Sequence, residues 1–327
     1  MAQLNRAFFR FFRTESAGGI FLLAFAFLAL ILANSPIRQG YFDFFDPLHT
    51  FINEGLMSIF FFLVGLEIKR EFVSKEERSY RSISLPIIAA LGGMAIPALI
   101  FIVLNNGSKA WAVAMPTDIA LALGALALLG SRIEPSIKIF LLTLAIADDL
   151  FSIIVMALFY SSGINPLKLL ATIGAVVLAI AIPVKPDRLI DILHPYSAFF
   201  IIPVFALANI GLTIDFSNIS NAITYSLIVA RVVGKIIGIT LFSFLAISFG
   251  LSHKPASLTY VEIAGAGALA GMGLTVSLFI ADLAGLAPNQ MSDVKLGLIL
   301  AAIVSGLVGL FILRRCAANP FAVHDEN

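Results

Sequence analysis

Ile139-Phe-Leu-Leu-Thr-Leu-Ala-Ile-Ala-Asp-Asp-Leu-Phe-Ser-Ile-Ile-Val-Met-Ala-Leu-Phe159 places two adjacent carboxylates, Asp148 and Asp149, in the middle of an apolar run. A helix of about 20 residues crosses about 30 Å of hydrocarbon, so the run is long enough to span a bilayer. An ionised carboxylate there costs several kcal/mol, roughly, and membrane acids face a wet cavity, a counter-charge or a transported ion. Neighbouring helix positions differ by about 100°, so one aspartate can face a cavity while the other faces a helix. Two acids bracing a bundle is the plain alternative; the pair points to transport.

The rest of the chain agrees with a membrane setting. Of 327 residues, 60% are hydrophobic and only 13% charged, and the mean hydropathy is +1.00. This is far from the balance of a soluble domain. A net charge of +1 leaves no footprint for nucleic acid, and a lone cysteine, Cys316, excludes an internal disulfide framework. The first apolar stretch, Ala17 to Ala33, has no convincing processing site and reads as a retained span. Before it, Phe8, Phe9, Phe11 and Phe12 alternate with Arg10 and Arg13, either as an amphipathic helix on the inner surface or as an extension of the first span.

About ten spans are predicted, near 16–34, 54–70, 83–104, 110–130, 135–160, 167–184, 195–213, 222–249, 260–282 and 294–314, joined by short Pro, Gly or polar turns. The fold class is an all-α polytopic membrane protein, one integral membrane domain over 1–327. Charge sets its orientation. With the N-terminus inside, fifteen Lys and Arg fall on cytoplasmic segments and four (Arg38, Lys109, Lys168 and Lys295) on outer ones. Both termini are therefore expected in the cytoplasm.

Polar groups interrupt two spans. In Met115-Pro-Thr-Asp-Ile-Ala120, Pro116 removes a backbone donor and restricts the preceding residue, releasing peptide groups near Thr117 and Asp118. The alternative is a proline kink with Asp118 in a salt bridge. In Ala264-Gly-Ala-Gly-Ala-Leu-Ala-Gly-Met-Gly-Leu-Thr-Val-Ser277, four glycines permit a break or simply close packing. Both lie in the middle of helix triplets, 83–160 and 222–314, and the triplets start on opposite sides. That topology suggests an inverted repeat with two interrupted helices crossing near the midplane.

Lys235, well inside the eighth span, is the expected counter-charge for one aspartate, with Asp148 preferred; such a bridge is either structural or opens during proton exchange. Arg231, one turn earlier, either snorkels outward or lines the same passage. Glu67 and Glu71, four residues apart, share a face at the cytoplasmic mouth, as a cation funnel or as ordinary helix-end charges. His194 is a modest pH-sensor candidate. Glu262 either caps the ninth span or lines the entrance. An oxygen-rich site at Asp149, Asp148 and Asp118 suits a transported Na⁺ or Li⁺, with no resident cofactor.

The chain resembles the bacterial NhaA family of sodium/proton antiporters in ordered motifs across most of its length. They include Asn53-Glu-Gly-Leu-Met57, Leu63-Val-Gly-Leu-Glu-Ile-Lys-Arg-Glu71, Thr117-Asp-Ile-Ala120 and Leu144-Ala-Ile-Ala-Asp-Asp-Leu150. Further on come His194-Pro, Pro203-Val-Phe-Ala-Leu-Ala-Asn209, Gly234-Lys235 and Gly271-Met-Gly-Leu-Thr-Val-Ser-Leu-Phe-Ile280. The resemblance implies an NhaA-like bundle in which Asp148 pairs with Lys235 and Asp149 is the central cation and proton site. By the same resemblance, Asp118 and Thr117 sit at the helix crossing, and Glu67, Glu71 and His194 belong to a cytoplasmic pH-response region. It also implies electrogenic, pH-regulated exchange of two protons for one Na⁺ in the inner membrane, by alternating access.

Two departures in residues and two in length stand out. Glu54 replaces the aspartate usual in the Asn-x-Gly-Leu motif, on the outer pathway, and Ile190 and Asp191 occupy positions where the family carries acidic and histidine groups. Between Tyr160 and His194 there is room for one span where twelve-helix relatives have three. The loop from Asn34 to Asn53 is too short for the family's extracellular hairpin, which puts the usual dimer contact in doubt; the partners read from the sequence are membrane lipids, with a homodimer left open. Competing readings are a cation channel, a transporter for a small organic anion, and a nontransporting sensor or structural subunit. No Walker loop supports an ATP-driven pump.

Overall fold

A computed structural model of the chain describes residues 2–73, 80–130, 133–160, 166–213, 221–255 and 257–318. These residues are almost all helical, with no strand among them. Eight helical stretches are long and apolar enough to cross a membrane, and a ninth is formed by a pair bent by 50°, Tyr260–Ala270 and Thr275–Leu283. The tenth expected span, 167–184, is shorter. Its helix α7, Pro166–Ala181, has 16 residues, and at 1.5 Å each it rises only about 24 Å.

The first helix, α1 (Ala2–Ala33), is continuous from the second residue, so the aromatic and basic prefix extends the first span; the side chains of Phe8, Phe9, Arg10, Phe11, Phe12 and Arg13 lie outside the described ones. So do the turn at Ser161-Ser-Gly163 and the tail beyond Ala318. After α1, the stretch expected to be a short loop folds into the helix α2, Arg38–Phe45, and a 3₁₀ turn, Asp46–Leu48. Tyr41 anchors α2 by donating its hydroxyl to the Leu207 carbonyl, and burial pushes its phenol up to about 12, keeping it a neutral donor.

A π turn, Phe51–Leu56, leads into α3, Met57–Val73. Asn53 in that turn exchanges reciprocal amide hydrogen bonds of 3.1 and 2.8 Å with Asn209. Both asparagines are buried, and each satisfies the other, as polar groups in an apolar bundle require. The seventh span differs most from expectation. It starts at Pro186, not near 195, and runs as α8 (Pro186–Tyr196), a π turn (Ser197–Ile201) and α9 (Ile202–Asn209). Pro186 begins the helix where no intrahelical donor is needed, Pro195 lies within α8, and the π turn falls just before Pro203, whose ring would otherwise crowd the preceding turn.

The centre of the bundle is built on α4 (Tyr80–Leu104), the 3₁₀ segment Lys109–Ala114 with α5 (Ile119–Ala127), and α6 (Pro135–Phe159). Facing them are α10 (Ala222–Val229) and α11 (Lys235–Ser248), joined by a π turn at Ala230–Gly234, then α12 (Tyr260–Ala270), α13 (Thr275–Leu283) and α14 (Pro288–Ala318). Where α4 crosses α11, Gly92 and Gly238 lie backbone to backbone, and an added Cβ on either would overlap the other's carbonyl. In hydrocarbon, where helices gain little from excluding water, such small-residue contacts let backbones pack closely. They hold Lys235 at the centre of the bundle.

Gly92→Val is therefore expected to destabilise the detergent-solubilised protein by at least the about 1–3 kcal/mol of an overpacked site. Gly174→Ala, where a Cβ would meet nothing within 4 Å, is expected to leave the melting temperature unchanged or slightly raised. Thermal unfolding of the two variants beside the parent protein checks this.

Candidate functional site

Both predicted interruptions are present. Residues 115–118 leave the helical path between the 3₁₀ segment and α5, and residues 271–274 separate α12 from α13. Each break frees backbone groups that have no intrahelical partner. Asp118 adopts an extended conformation and caps α5 by accepting from the Leu121 N–H at 3.3 Å. Its other oxygen accepts from the Thr275 hydroxyl at 2.8 Å and the Thr275 N–H at 3.4 Å, at the start of α13. One carboxylate thus meets the N-terminal ends of two helices, both carrying partial positive charge.

Asp148 turns toward α11. Lys235 Nζ lies 3.3 Å from its Oδ2 and donates to Thr117 Oγ1 at 2.8 Å. The Thr117 N–H, freed by the break, donates to the same Asp148 oxygen at 2.6 Å. Lys235 is fully buried and Asp148 only 1% exposed, so each charge depends on the other. Asp148 Oδ1 is buried without a hydrogen-bond partner among the described residues, as is Ser152 Oγ one turn further on.

Asp149, on the next helix position, points elsewhere. It lines a cavity together with Asp118, Thr117, Glu67, His194 and Thr275, with about 40 Å³ open to water-sized occupants. A single water needs roughly 10–15 Å³ measured in this way, so the space suits about three water-sized occupants, such as a largely dehydrated small cation with one or two waters. Asp118 and Asp149 therefore share a space, while Asp148 faces its lysine behind them. Among the described residues no three His, Cys, Asp or Glu converge as a ready metal cage. The expected set of Asp149, Asp148 and Asp118 is accordingly not gathered into one cluster, because Asp148 is turned to Lys235 and Asp118 to the helix ends.

The outlying acids separate. Glu67 and His194 line the cavity; Glu71, Glu262 and Glu54 are not among its lining residues. Of the two readings of Glu262, the helix cap is the one formed: its carboxylate accepts from Thr259 N and Oγ1 at 2.8 and 2.9 Å in a capping box that starts α12. Glu71 Oε1 is buried with no hydrogen-bond partner among the described residues. Glu54 sits half-buried in the π turn before α3. His194 is buried within a continuous helix and not at its start. Arg231, which either snorkels or faces inward on sequence grounds, is fully buried between the two breaks.

An acidic, ion-sized cavity at the meeting of two interrupted helices, inside an all-α bundle of membrane-length spans, defines a multi-pass membrane transporter. The chain belongs to the Na⁺/H⁺ antiporter 1 family, whose model matches residues 9–182 and 169–313, and the relatives that match it carry the NhaA name. It is 38% identical over 377 aligned positions to the Na(+)/H(+) antiporter NhaA 2 of Pseudomonas savastanoi pv. phaseolicola, covering 95% of both chains. To the NhaA antiporter of Salmonella paratyphi A it is 35% identical, over 93% of this chain and 97% of the relative. For that of Shewanella baltica the identity is again 35%, over 97% and 99%. These alignments are longer than the chain's 327 residues, so the relatives carry residues that are missing here. The two family matches overlap at 169–182, which locates the shortening at α7.

Replacing Lys235 by Met leaves Asp148 buried without its counter-charge and is expected to cost about 3–5 kcal/mol. Combining it with Asp148→Asn is expected to recover most of that loss. Melting temperatures of the two single variants and the double variant measure the pair directly.

Proposed function

We propose that the protein exchanges Na⁺ or Li⁺ for protons across the bacterial inner membrane. The observation that carries this reading is the shared cavity: Asp149 and Asp118 face one ion-sized space beside Thr117, while Asp148 is held by Lys235. Asp149 is the carboxylate that alternates between proton and cation. Asp118, Thr117 and water complete a temporary oxygen shell, and Asp148 joins it when its contact with Lys235 loosens. Cation and proton compete for the same carboxylates, which couples the two gradients. If each bound independently, neither gradient would drive the other.

Replacing one Na⁺ by two protons changes the charge of the site by one, so exchange of that ratio is electrogenic, with inward protons driving outward Na⁺. The triplets 83–160 and 222–314 act as an inverted repeat whose rocking alternates access to the crossing. Both termini face the cytoplasm under the charge bias of the connecting segments. Glu67 and His194, at the cavity wall, respond to cytoplasmic pH and tune its filling. Glu71 lies one turn beyond Glu67 on the same helix and adds charge on that side.

Asp149→Asn is expected to abolish pH-driven Na⁺ exchange in sealed proteoliposomes while the purified protein stays monodisperse. Exchange at the parent rate would remove Asp149 from its role. With two protons entering for each Na⁺ that leaves, one net positive charge moves inward, so Na⁺ efflux from the parent vesicles is expected to accelerate under an inside-negative voltage and to slow under an inside-positive one. Na⁺ flux that continues without proton movement would instead mark a channel.

A further inference from the structure

Arg231 is the largest fully buried side chain among the described residues, and the exchange chemistry above leaves it unused. Its guanidinium donates from Nη1 to the Val113 carbonyl at 2.8 Å and from Nη2 to the Pro116 carbonyl at 2.7 Å. From Nε it reaches the Gly271 carbonyl at 3.1 Å, and Nη1 also bonds Ser277 Oγ at 2.8 Å. Val113 lies in the 3₁₀ segment just before the first interruption and Pro116 within it; Gly271 caps the end of α12 where the second begins, and Ser277 lies in α13 just beyond it.

We propose that Arg231 is a positioning residue that clamps the two interrupted segments to one another and so sets the distance between Asp118, Thr117 and Thr275 at the ion cavity. It is the counterpart of Asp118. The carboxylate meets the N-terminal ends of α5 and α13, and the guanidinium meets carbonyls at the C-terminal ends of the helical segments that run into the same breaks, which carry partial negative charge. Arginine suits the position because its planar fork offers five donors and stays charged. A lysine's three donors radiate from one nitrogen and cannot reproduce the four contacts that the fork spreads over Nε, Nη1 and Nη2.

Two further features support the clamp. The π turn at Ala230–Gly234 presents Arg231 to the breaks and Lys235 to Asp148 from a single helix, so the two cations divide the work. Gly273 supplies the space for the guanidinium: a Cβ there would overlap both Arg231 Nη2 and the Pro116 carbonyl. The signal in the sequence is thus a pair, Arg231 and Gly273, on different spans. Because the clamp leaves Lys235 free of the helix ends, Lys235 serves Asp148 and Thr117 alone.

The functional part of this inference rests on the antiport reading, so its test has two readouts. In detergent, Arg231→Lys and Gly273→Ala each lower the melting temperature, and the double variant is no worse than the weaker single, because both break one contact set. In proteoliposomes each single variant raises the KM for Na⁺ on the order of tenfold or more, with a much smaller fall in maximal rate, as expected for a displaced binding site. Thermal losses that add in the double variant, or an unchanged KM in either single, overturn the clamp. Should Arg231→Lys fail to fold, Gly273→Ala, which keeps the cation and only crowds it, decides by its KM. If parent vesicles exchange nothing, the antiport reading fails while the thermal comparison still judges the clamp.

Discussion

Charge buried in a hydrocarbon-like interior has to be answered locally, and the centre of this bundle is arranged around that constraint. Asp148 is met by Lys235 and by the Thr117 N–H. Asp118 is met by the starts of α5 and α13, and Arg231 by the carbonyls that the two breaks release. The dependence runs both ways. Unbroken helices would supply no free N–H or carbonyl groups to the charges, and breaks without charges would bury unsatisfied backbone at a cost of several kcal/mol, roughly, per group.

That electrostatic centre needs a close-packed frame to hold its distances. Gly92 and Gly238 bring α4 and α11 into backbone contact, and Gly19 of α1 lies against the Ala120 carbonyl and Gly124 of α5. A rigid frame around a polar crossing suits a site whose occupant changes. The packed helices set the spacing at the break, and Asp149 lines the cavity beside it.

Much of this was legible because membrane burial punishes polar residues unless they have a reason to be there. Asp148, Asp149 and Lys235 stand out against apolar neighbours, Pro116 marks one break by its missing donor, and Gly271 and Gly273 mark the other. The less legible features depend on direction and not on composition. Nothing in the residues around Arg231 says whether it snorkels or turns inward; only the packing against Gly273 and the breaks decides. Glu262 reads as a cap or an entrance acid until Thr259 is seen beside it. The seventh span starts nine residues earlier than expected because the helix begins at Pro186 and runs on through Pro195. The stretch after Asn34, read as a short loop, folds as α2 because Tyr41 reaches the Leu207 carbonyl.

The shortened stretch around α7 has a consequence for the surrounding lipid. This helix packs closely on α3, with Gly65 against Ala179 and Val176, and Lys69 donates to the Ile182 carbonyl just beyond its end. It rises about 24 Å where hydrocarbon is about 30 Å thick, while α6 beside it has 25 residues. A helix shorter than the hydrocarbon is accommodated by local thinning of the bilayer or by snorkelling of its flanking residues. Because α7 packs on α3, that accommodation falls beside the helix that carries Glu67 to the cavity.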